Sequence, residues 1–267
     1  MKMKNIFLTG GSSYLGKNFI KKNKNSQIFA LKHNKEIGDD KNLNIINDNS
    51  SFNELFKYHN IDTVIHFASN YSYKNTDKTR KLNYRLEERL IEASQKSDVN
   101  RFIFAGSYFQ DIFFGESIPY VVYKNNIEKK MMKSSKSSNV YFASLHLGDV
   151  FGQNDFRNKL IPYLLKSENQ SKLKIESDGN GPFSPIHIDD VLSYIFNLEL
   201  KKDIYFEIHN LYGKVTSVKE FIDFYKKVRD KKFECDFNLS NKSKNYKLKN
   251  VNEKFLDNNL EIQLLNL

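Results

Sequence analysis

The chain has 267 residues, a formal net charge of +10 and 39% apolar residues. This length suits one large domain or a domain with a smaller lobe, and the apolar content excludes wholesale disorder. The single cysteine, Cys235, excludes an intrachain disulfide and a cysteine-based metal cluster, which favours a reducing cytoplasm. Lysines are scattered along the chain rather than gathered on one element, so the charge does not indicate a nucleic-acid partner.

Apolar runs are short throughout the sequence. None reaches the ~20 residues that a transmembrane helix needs. The apolar patch at residues 6–8 is also shorter than the apolar core of a signal peptide. We therefore expect a cytoplasmic protein without membrane insertion.

The first predicted element is a strand over Asn5–Leu8, followed by a glycine turn, Thr9–Gly16, and a helix. Backbone N–H groups in such a turn can approach a pyrophosphate, whose charge the helix N-terminus favours. The usual middle glycine is Ser13 here, and the hydroxyl of Ser12 or Ser13 could donate to phosphate. Taken alone, the turn also fits an ordinary strand–turn–helix corner.

From residue 1 to about residue 150, short apolar strands alternate with segments of helical periodicity. This pattern predicts an α/β fold, a Rossmann-type doubly wound parallel sheet that binds its ligand at the carboxyl ends of the strands. After the first strand, further strands are predicted over Gln27–Leu31, Asn44–Ile46, Thr63–Phe67, Arg101–Ala105 and Tyr141–Leu145. The predicted helices are Phe52–Tyr58, Leu82–Ala93 and Ile127–Met132.

Beyond residue 150 the periodicity is weaker. We predict a dinucleotide-binding domain over residues 1–150 and a smaller lobe, mainly substrate-binding, over residues 151–267, with some segments returning to the sheet. Helices are predicted over Lys159–Lys166, Asp189–Leu198 and Ser217–Val228, and strands over Leu173–Ile175 and Tyr205–His209. The lysine-rich segment Lys231–Lys254 is not assigned.

Six segments follow one another as in a known family. They are Thr9–Gly16, Asp62–Ser69, Arg101–Ser107, Pro119–Lys124, Ile186–Val191 and Asn210–Phe221. In these segments the chain resembles an extended short-chain dehydrogenase/reductase of the type that modifies nucleotide-activated sugars, over nearly its full length. The resemblance implies a nicotinamide dinucleotide cofactor, a nucleotide-diphosphate sugar as substrate and a homodimer.

The resemblance also implies which residues contact the cofactor. They are Gly10, Ser12, Ser13, Tyr14, Leu15, Gly16, Lys32, His33, Asp48, Phe67, Ala68, Ser69, Asn83, Tyr120 and Lys124. The second strand ends in Lys32 and His33, where an NAD-binding member would carry an acidic residue. Basic side chains there would pair with a 2′-phosphate, so NADP(H) is favoured over NAD(H). The alternative is that Lys32 faces solvent.

The family's catalytic pattern implies roles for three residues. A tyrosine and a lysine four positions apart lie on one face of a helix. A free phenol titrates near pH ~10, and a nearby ammonium favours its phenolate. Tyr120 is therefore expected to be the general acid–base and Lys124 the group that lowers its pKa and holds the cofactor ribose. Ser107 would orient the substrate. Tyr123 lacks a lysine at the fourth following position.

The substrate contacts implied by the resemblance are Asn70, Ser107, Asp149, Lys159 and Phe183. Two of them depart from the family pattern. Asp149 stands where many relatives have asparagine, and Phe183 stands where an arginine often contacts the diphosphate. No set of histidines and carboxylates has metal-ligand spacing, so no metal is expected.

The reaction type is predicted from the residues around Ser107. Tyr108 and Phe109 follow it where the family's dehydratases have an acidic pair, which disfavours dehydration. The compact chain and the short interval to Tyr120 resemble members that reduce 4-keto-6-deoxyhexoses with NADPH. Such a ketoreductase would supply a 6-deoxysugar for a surface glycan, lipopolysaccharide or capsule. The alternatives are a nucleotide-sugar epimerase with tightly bound NAD and a non-catalytic dinucleotide-binding regulator.

Overall fold

The structure is a computed structural model of the chain. It describes residues 3–32, 35–38, 40–47, 51–69, 77–112, 118–201, 203–243 and 259–267, and for residues 77–84 it describes the backbone alone. The described chain divides into two compact units. Unit 1 comprises Met1–Gln110, Gly115–His146 and Tyr194–His209, and unit 2 comprises Asp111–Phe114, Leu147–Ser193 and Asn210–Leu267.

Strands and helices alternate in the first half of the chain. The strands are β1 (Asn5–Thr9), β2 (Gln27–Lys32), β3 (Leu43–Asn47), β4 (Thr63–His66), β5 (Arg101–Ala105) and β6 (Tyr141–Leu147). The helices are α1 (Tyr14–Lys22), α2 (Phe52–Tyr58), α3 (Asp77–Gln95), α4 (Phe109–Ile112) and α5 (Pro119–Ser135). Each predicted strand is present, with ends that differ by at most two residues, and the predicted Rossmann-type fold is confirmed.

The remaining elements follow β6. The strands are β7 (Asp149–Phe151), β8 (Lys172–Ile175), β9 (Pro182–Phe183), β10 (Pro185–His187), β11 (Phe206–Leu211), β12 (Thr216–Ser217) and β13 (Glu234–Phe237). The helices are α6 (Leu160–Ser167), α7 (Ile188–Phe196), α8 (Val218–Val228) and α9 (Leu260–Leu265). None of the helices in the described ranges has the length and apolar character needed to cross a bilayer.

The central sheet has the strand order β11-β6-β5-β4-β1-β2-β3. The pairs from β6 to β3 are parallel. The middle strands β4 and β5 are buried at every position, as expected for strands that are covered on both faces. Because β1 lies between β2 and β4, the order reverses beside β1. Their carboxyl ends therefore meet at the point where sheets of this kind bind ligands.

Unit 2 has its own core and small sheets. Phe183 of β9 packs on Phe221 of α8 with ring centroids 4.5 Å apart. Ser217 begins α8 with a capping box, in which its hydroxyl accepts from the backbone N–H of Glu220 and the Glu220 carboxylate accepts from the Ser217 N–H. The unassigned segment after Lys231 contains β13, which pairs in parallel with β8. Its alternating pattern of exposed and half-buried residues gives little apolar signal.

Candidate active site

The glycine turn after β1 has the backbone geometry of a phosphate cradle. Gly10 has a φ of +74°, and a Cβ at this position would lie 2.6 Å from the backbone nitrogen of Ala68. Any other residue would be strained there and would press on the segment that follows β4. A Cβ on Gly16 would collide with the carbonyl oxygen of Gly10. Glycine at this position therefore permits the close approach of α1 to the turn.

Ser13 takes the place of the usual middle glycine and caps α1. Its φ is −72°, which suits any residue, and its Oγ accepts from the N–H of Gly16 at 3.0 Å. The first turn of α1, which is fully described, contains no acidic residue that would repel an anion from the positive end of the helix dipole. Ser12, Tyr14 and Leu15 are half-buried around it. The turn therefore fits a dinucleotide pyrophosphate.

The segment after β4 lies against this turn. The backbone N–H of Ala68 donates to Oγ1 of Thr9 at 3.3 Å. The ring of Phe67 packs on Phe19 of α1, with centroids 5.9 Å apart. Ser69 is exposed. Phe67 and Ala68 are thus brought beside the turn.

Lys32, on which the prediction of NADP(H) depends, forms an ion pair. Its Nζ lies 2.6 Å from Oε1 of Glu36, and the two side chains are 33% and 86% exposed. Water screens a pair as exposed as this one, so the lysine charge is only partly balanced. The other predicted contacts His33, Asp48 and Asn70 lie outside the described residues, and the side chain of Asn83 does too.

Lys124 is buried beneath the carboxyl end of β5. Its Nζ donates to the carbonyl oxygen of Ala105 at 2.6 Å. The same atom lies 4.5 Å from the ring centroid of Phe104 and 5.5 Å from that of Tyr120. Burial lowers the pKa of Lys124 to about 8, although nearby carboxylates oppose the shift. The structure therefore brings Lys124 and Tyr120 together at the end of β5.

Ser107 follows Ala105 by two residues and is buried. Its backbone N–H donates to Oε1 of Gln110 at 2.9 Å, and its Oγ accepts from the backbone N–H of Phe109 at 3.3 Å. A hydroxyl that accepts in this way keeps its own hydrogen for another acceptor. Ser107 can therefore donate a hydrogen bond to a substrate oxygen.

Tyr123, the second tyrosine of the motif, is engaged elsewhere. Its hydroxyl donates to Oε1 of Glu87 on α3. Burial raises the pKa of Tyr123, and the charge of Glu87 and this hydrogen bond raise the pKa further. A phenol with a raised pKa is a poor acid–base group at neutral pH.

A second buried polar group, which sequence reasoning missed, lies between α5 and β6. Glu128 of α5 accepts from the hydroxyl of Ser144, and its Oε1 lies 2.6 Å from Nε2 of His146. Burial raises the pKa of Glu128, but the hydrogen bond and charge of His146 and the hydrogen bond of Ser144 lower the pKa below its usual range. Nε2 of Gln110 donates to Oδ1 of Asn125 at 3.1 Å. These contacts tie α5 to β6 and to the segment after β5.

The sequence contains a weak signal for two of the missed residues. Glu87 shares the spacing of Leu90 and Ile91, so it stands in the apolar stripe of α3. Glu128 follows Lys124 by four positions and so lies on the same face of α5. A carboxylate on a buried helix face needs a partner, which is a reason to search for one.

Three of the predicted substrate contacts, Asp149, Lys159 and Phe183, lie in unit 2. Oδ2 of Asp149, on β7, accepts from the backbone N–H of Ser184 at 3.2 Å, so its carboxylate takes part in joining β7 to the β10 region. Lys159 is exposed at the N-cap of α6. The ring of Phe183, on β9, is buried in the core of unit 2 and packs on Phe221.

Comparisons with known proteins agree with this architecture. A family model described as "NAD dependent epimerase/dehydratase family" matches residues 6–202. The chain is 23% identical over 235 residues to the CDP-abequose synthase of Salmonella typhimurium (81% of this chain, 78% of the relative). It is 24% identical over 243 residues to the CDP-abequose synthase of Yersinia pseudotuberculosis (84% of each chain).

Several solved structures share the fold, and two of them illustrate the similarity. MoeE5 in complex with UDP-glucuronic acid and NAD has a TM-score of 0.77 at 17% identity, covering 98% of this chain and 97% of that one. The UDP-N-acetylglucosamine 4-epimerase of Methanobrevibacter ruminantium M1 has a TM-score of 0.75 at 18% identity, covering 100% and 97%. The chain thus shares the Rossmann-type fold of these structures. The chain belongs to the NAD dependent epimerase/dehydratase family and is an enzyme.

Proposed function

We propose that this protein reduces the keto group of a nucleotide-linked 4-keto-6-deoxyhexose, using NADPH, in the synthesis of a 6-deoxysugar for a surface glycan. The observation that carries the proposal is the position of Lys124. Its buried Nζ donates to the carbonyl oxygen of Ala105, two residues before Ser107, and lies 5.5 Å from the ring centroid of Tyr120. This arrangement supports proton transfer at a carbonyl oxygen.

The residues of this chain would act as follows. The hydroxyl of Ser107 donates to the substrate carbonyl oxygen and fixes it. Tyr120 donates its phenolic proton to that oxygen as it becomes an alkoxide, and the ammonium of Lys124 stabilises the phenolate that is left. When bound, the nicotinamide supplies the hydride to the carbonyl carbon. The remaining task of the protein is to hold the substrate in reach and to exclude water.

The relatives support a nucleotide-linked sugar as the substrate. The names of the Salmonella and Yersinia relatives contain a CDP-linked sugar. An Arabidopsis thaliana protein whose name includes UDP-4-keto-L-rhamnose-reductase is 25% identical over 252 residues, which cover 37% of that protein. We therefore expect reduction of a CDP- or UDP-linked keto sugar before that of other sugar nucleotides.

The choice of NADPH rests on Lys32. Its ion pair with Glu36 is exposed, so a 2′-phosphate could replace the carboxylate as the partner of the lysine. Solved structures of the same fold were determined with NAD, so NAD(H) is the competing cofactor.

We also retain the prediction of a homodimer in the cytoplasm, and sedimentation of the purified protein measures its oligomeric state.

The main alternative is a nucleotide-sugar epimerase with tightly bound NAD. The fold of 4-epimerases such as the Methanobrevibacter ruminantium enzyme favours it. A reductase consumes one NADPH per product, whereas an epimerase interconverts two sugars without net change in nicotinamide absorbance.

The deciding experiment is a panel assay. CDP-, dTDP-, GDP- and UDP-linked 4-keto-6-deoxyhexoses are incubated with the protein and NADPH, and absorbance at the reduced nicotinamide band is followed together with product analysis. NADPH oxidation with one sugar supports the reductase. In parallel, the protein is incubated with NAD and the corresponding 4-hydroxy sugar nucleotides, because only these have a configuration at C4 to invert. Their isomerisation without net change in nicotinamide absorbance supports the epimerase, and cofactor binding with neither reaction supports a regulator.

A further inference from the structure

A chain of buried polar side chains links the glycine turn to the catalytic helix. Oγ1 of Thr9 lies 2.7 Å from Nδ1 of His66, and Nε2 of His66 lies 2.9 Å from Oε1 of Glu87. The hydroxyl of Tyr123 donates to the same Glu87 oxygen. Thr9, His66 and Glu87 are each at most 1% exposed. The three elements that bound the site, β1, β4 and α5, are therefore connected through one carboxylate on α3.

The burial of the Glu87 carboxylate has a cost in folding free energy. Burial of a carboxylate in a protein interior costs several kcal/mol unless its charge and hydrogen-bonding capacity are used. Here Oε1 is used twice, while Oε2 is buried without a hydrogen-bond partner among the described residues. Hydrogen bonding to Tyr123 and His66 could have been provided by a neutral amide oxygen. The negative charge therefore needs a separate explanation.

A buried positive charge lies on the adjacent helix. Lys124 follows Tyr123 directly, and its Nζ lies 5.8 Å from the ring centroid of that tyrosine. Burial lowers the pKa of Lys124 to about 8, while the charges of Glu87 and then of Glu128 raise it. Glu128 is already engaged by Ser144 and His146 of β6.

We propose that Glu87 of α3 is a positioning residue. Its buried carboxylate holds Tyr123 of α5 in place and balances the charge of Lys124, the next residue of that helix. The proposal rests on the proposed function for the role of Lys124 in the reaction, but not for the contacts or the charge balance. The hydrogen bond to Glu87 keeps the hydroxyl of Tyr123 out of the acid–base chemistry. The charge of Glu87 keeps the ammonium of Lys124, which stabilises the phenolate of Tyr120, in its charged form near neutral pH.

The sign of the expected effect follows from the groups around Lys124. Among the described residues these are Tyr120, Tyr123 and Glu128 of α5, with Glu87 of α3. His66 of β4 reaches the cluster through its bond to Glu87. Replacing Glu87 by glutamine keeps the size and an acceptor oxygen but removes one of the two carboxylates. The ammonium of Lys124 then loses its proton at lower pH.

The test compares two neighbouring glutamates on α3. Glu87→Gln removes the buried charge, and the control Glu88→Gln removes the charge of a residue that pairs with Lys130 nearer the surface. The side-chain signals of isotope-labelled lysines are titrated by NMR in the full-length protein, and Lys124→Arg identifies the signal of Lys124. We expect the midpoint for Lys124 to fall by about 1 pH unit in Glu87→Gln and to stay unchanged in Glu88→Gln.

A second variant and a second readout complete the test. Glu87→Asp keeps the charge but shortens the reach to Tyr123, so Lys124 should keep its midpoint while the position of Tyr123 is lost. If Glu87→Gln does not fold, a clear fall of the Lys124 midpoint in Glu87→Asp overturns the proposal. An unchanged midpoint in folded Glu87→Gln overturns it as well.

Turnover separates this proposal from the proposed function. With a keto-sugar substrate, the alkaline limb of the kcat profile should move to lower pH in Glu87→Gln, by the same shift as the NMR midpoint. If no sugar is reduced, the proposed function fails, while the NMR titration still decides the role of Glu87.

Discussion

Oε1 of Gln110 accepts the backbone N–H of Ser107 at 2.9 Å, in a part of the chain where both residues are buried. The amide nitrogen of the same side chain donates to Asn125, the residue that follows Lys124. One amide thus joins the backbone of the proposed substrate-orienting serine to the helix of the proposed acid–base. We expect this bridge to set the distance between the two proposed catalytic groups.

Gln110→Ala should therefore lower kcat while leaving cofactor affinity near its wild-type value. Misplacement of a reacting group by about 1 Å can cost ~10²-fold in rate, which sets the scale of the loss. Gln95→Ala is the matched control, since Gln95 also reaches α5 but at its end, near Ser134. Steady-state kinetics of both variants measures the difference, and equal kcat values in the two variants would refute the bridge.

Tyr120→Phe should keep the fold and cofactor binding but lose the proton donor. General acid catalysis of this kind contributes ~10²–10⁴-fold, so kcat should fall in that range. Tyr123→Phe removes a hydroxyl that is bonded to Glu87 and should reduce kcat far less. Circular dichroism and cofactor titration confirm that both variants fold. Loss of turnover in Tyr123→Phe with normal turnover in Tyr120→Phe would reverse the assignment.

Gly10→Ala should weaken cofactor binding and lower the stability of the protein. The added Cβ meets the backbone after β4 at 2.6 Å in a residue with φ of +74°, a strain of about 1–3 kcal/mol. Gly38→Ala is the control, because no heavy atom lies within 4 Å of a Cβ there and its φ is not in the left-handed region. Urea unfolding should separate the two variants, and equal stability would contradict the assigned strain.

Lys32→Asp should lower the affinity for NADPH relative to NADH and narrow or reverse the preference. The carboxylate would repel a 2′-phosphate and suit the two free ribose hydroxyls of NADH. Glu36→Gln should act in the opposite direction, since it frees the charge of Lys32 from its present partner. Fluorescence titration with both cofactors measures these changes. Equal affinity of the parent protein for NADPH and NADH would end this explanation of cofactor choice.

Much of unit 1 could be predicted because local signals and long-range packing agree there. β5 begins and ends at the predicted residues, Arg101 and Ala105, because residues 102–105 form the continuous apolar run that a buried strand requires. The glycine turn was also readable, because Gly10 and Gly16 satisfy steric requirements that no other residue meets. Where one physical requirement fixes both the residue type and the geometry, the sequence is informative.

The polar interior was not predictable in the same way. Glutamate and glutamine are residue types that usually lie on the surface. Only the packing of α3, α4 and α5 brings Glu87, Gln110 and Glu128 to their buried partners. Pairing of β8 with β13 was also missed, because exposed and half-buried residues alternate along β13 without a strong apolar pattern. Periodicity shows which face of an element is apolar, but not which distant element will cover it.

The position of β11 at the edge of the central sheet determines when that sheet can be completed during synthesis. This strand begins at Phe206, yet it covers the flank of β6, which ends at Leu147. A ribosome must therefore translate more than fifty further residues before β6 loses its open edge. During that interval the nascent chain presents unpaired backbone groups of a buried strand, which are a template for aggregation. The dependence of this protein on chaperones should accordingly be greatest before β11 emerges from the exit tunnel of the ribosome.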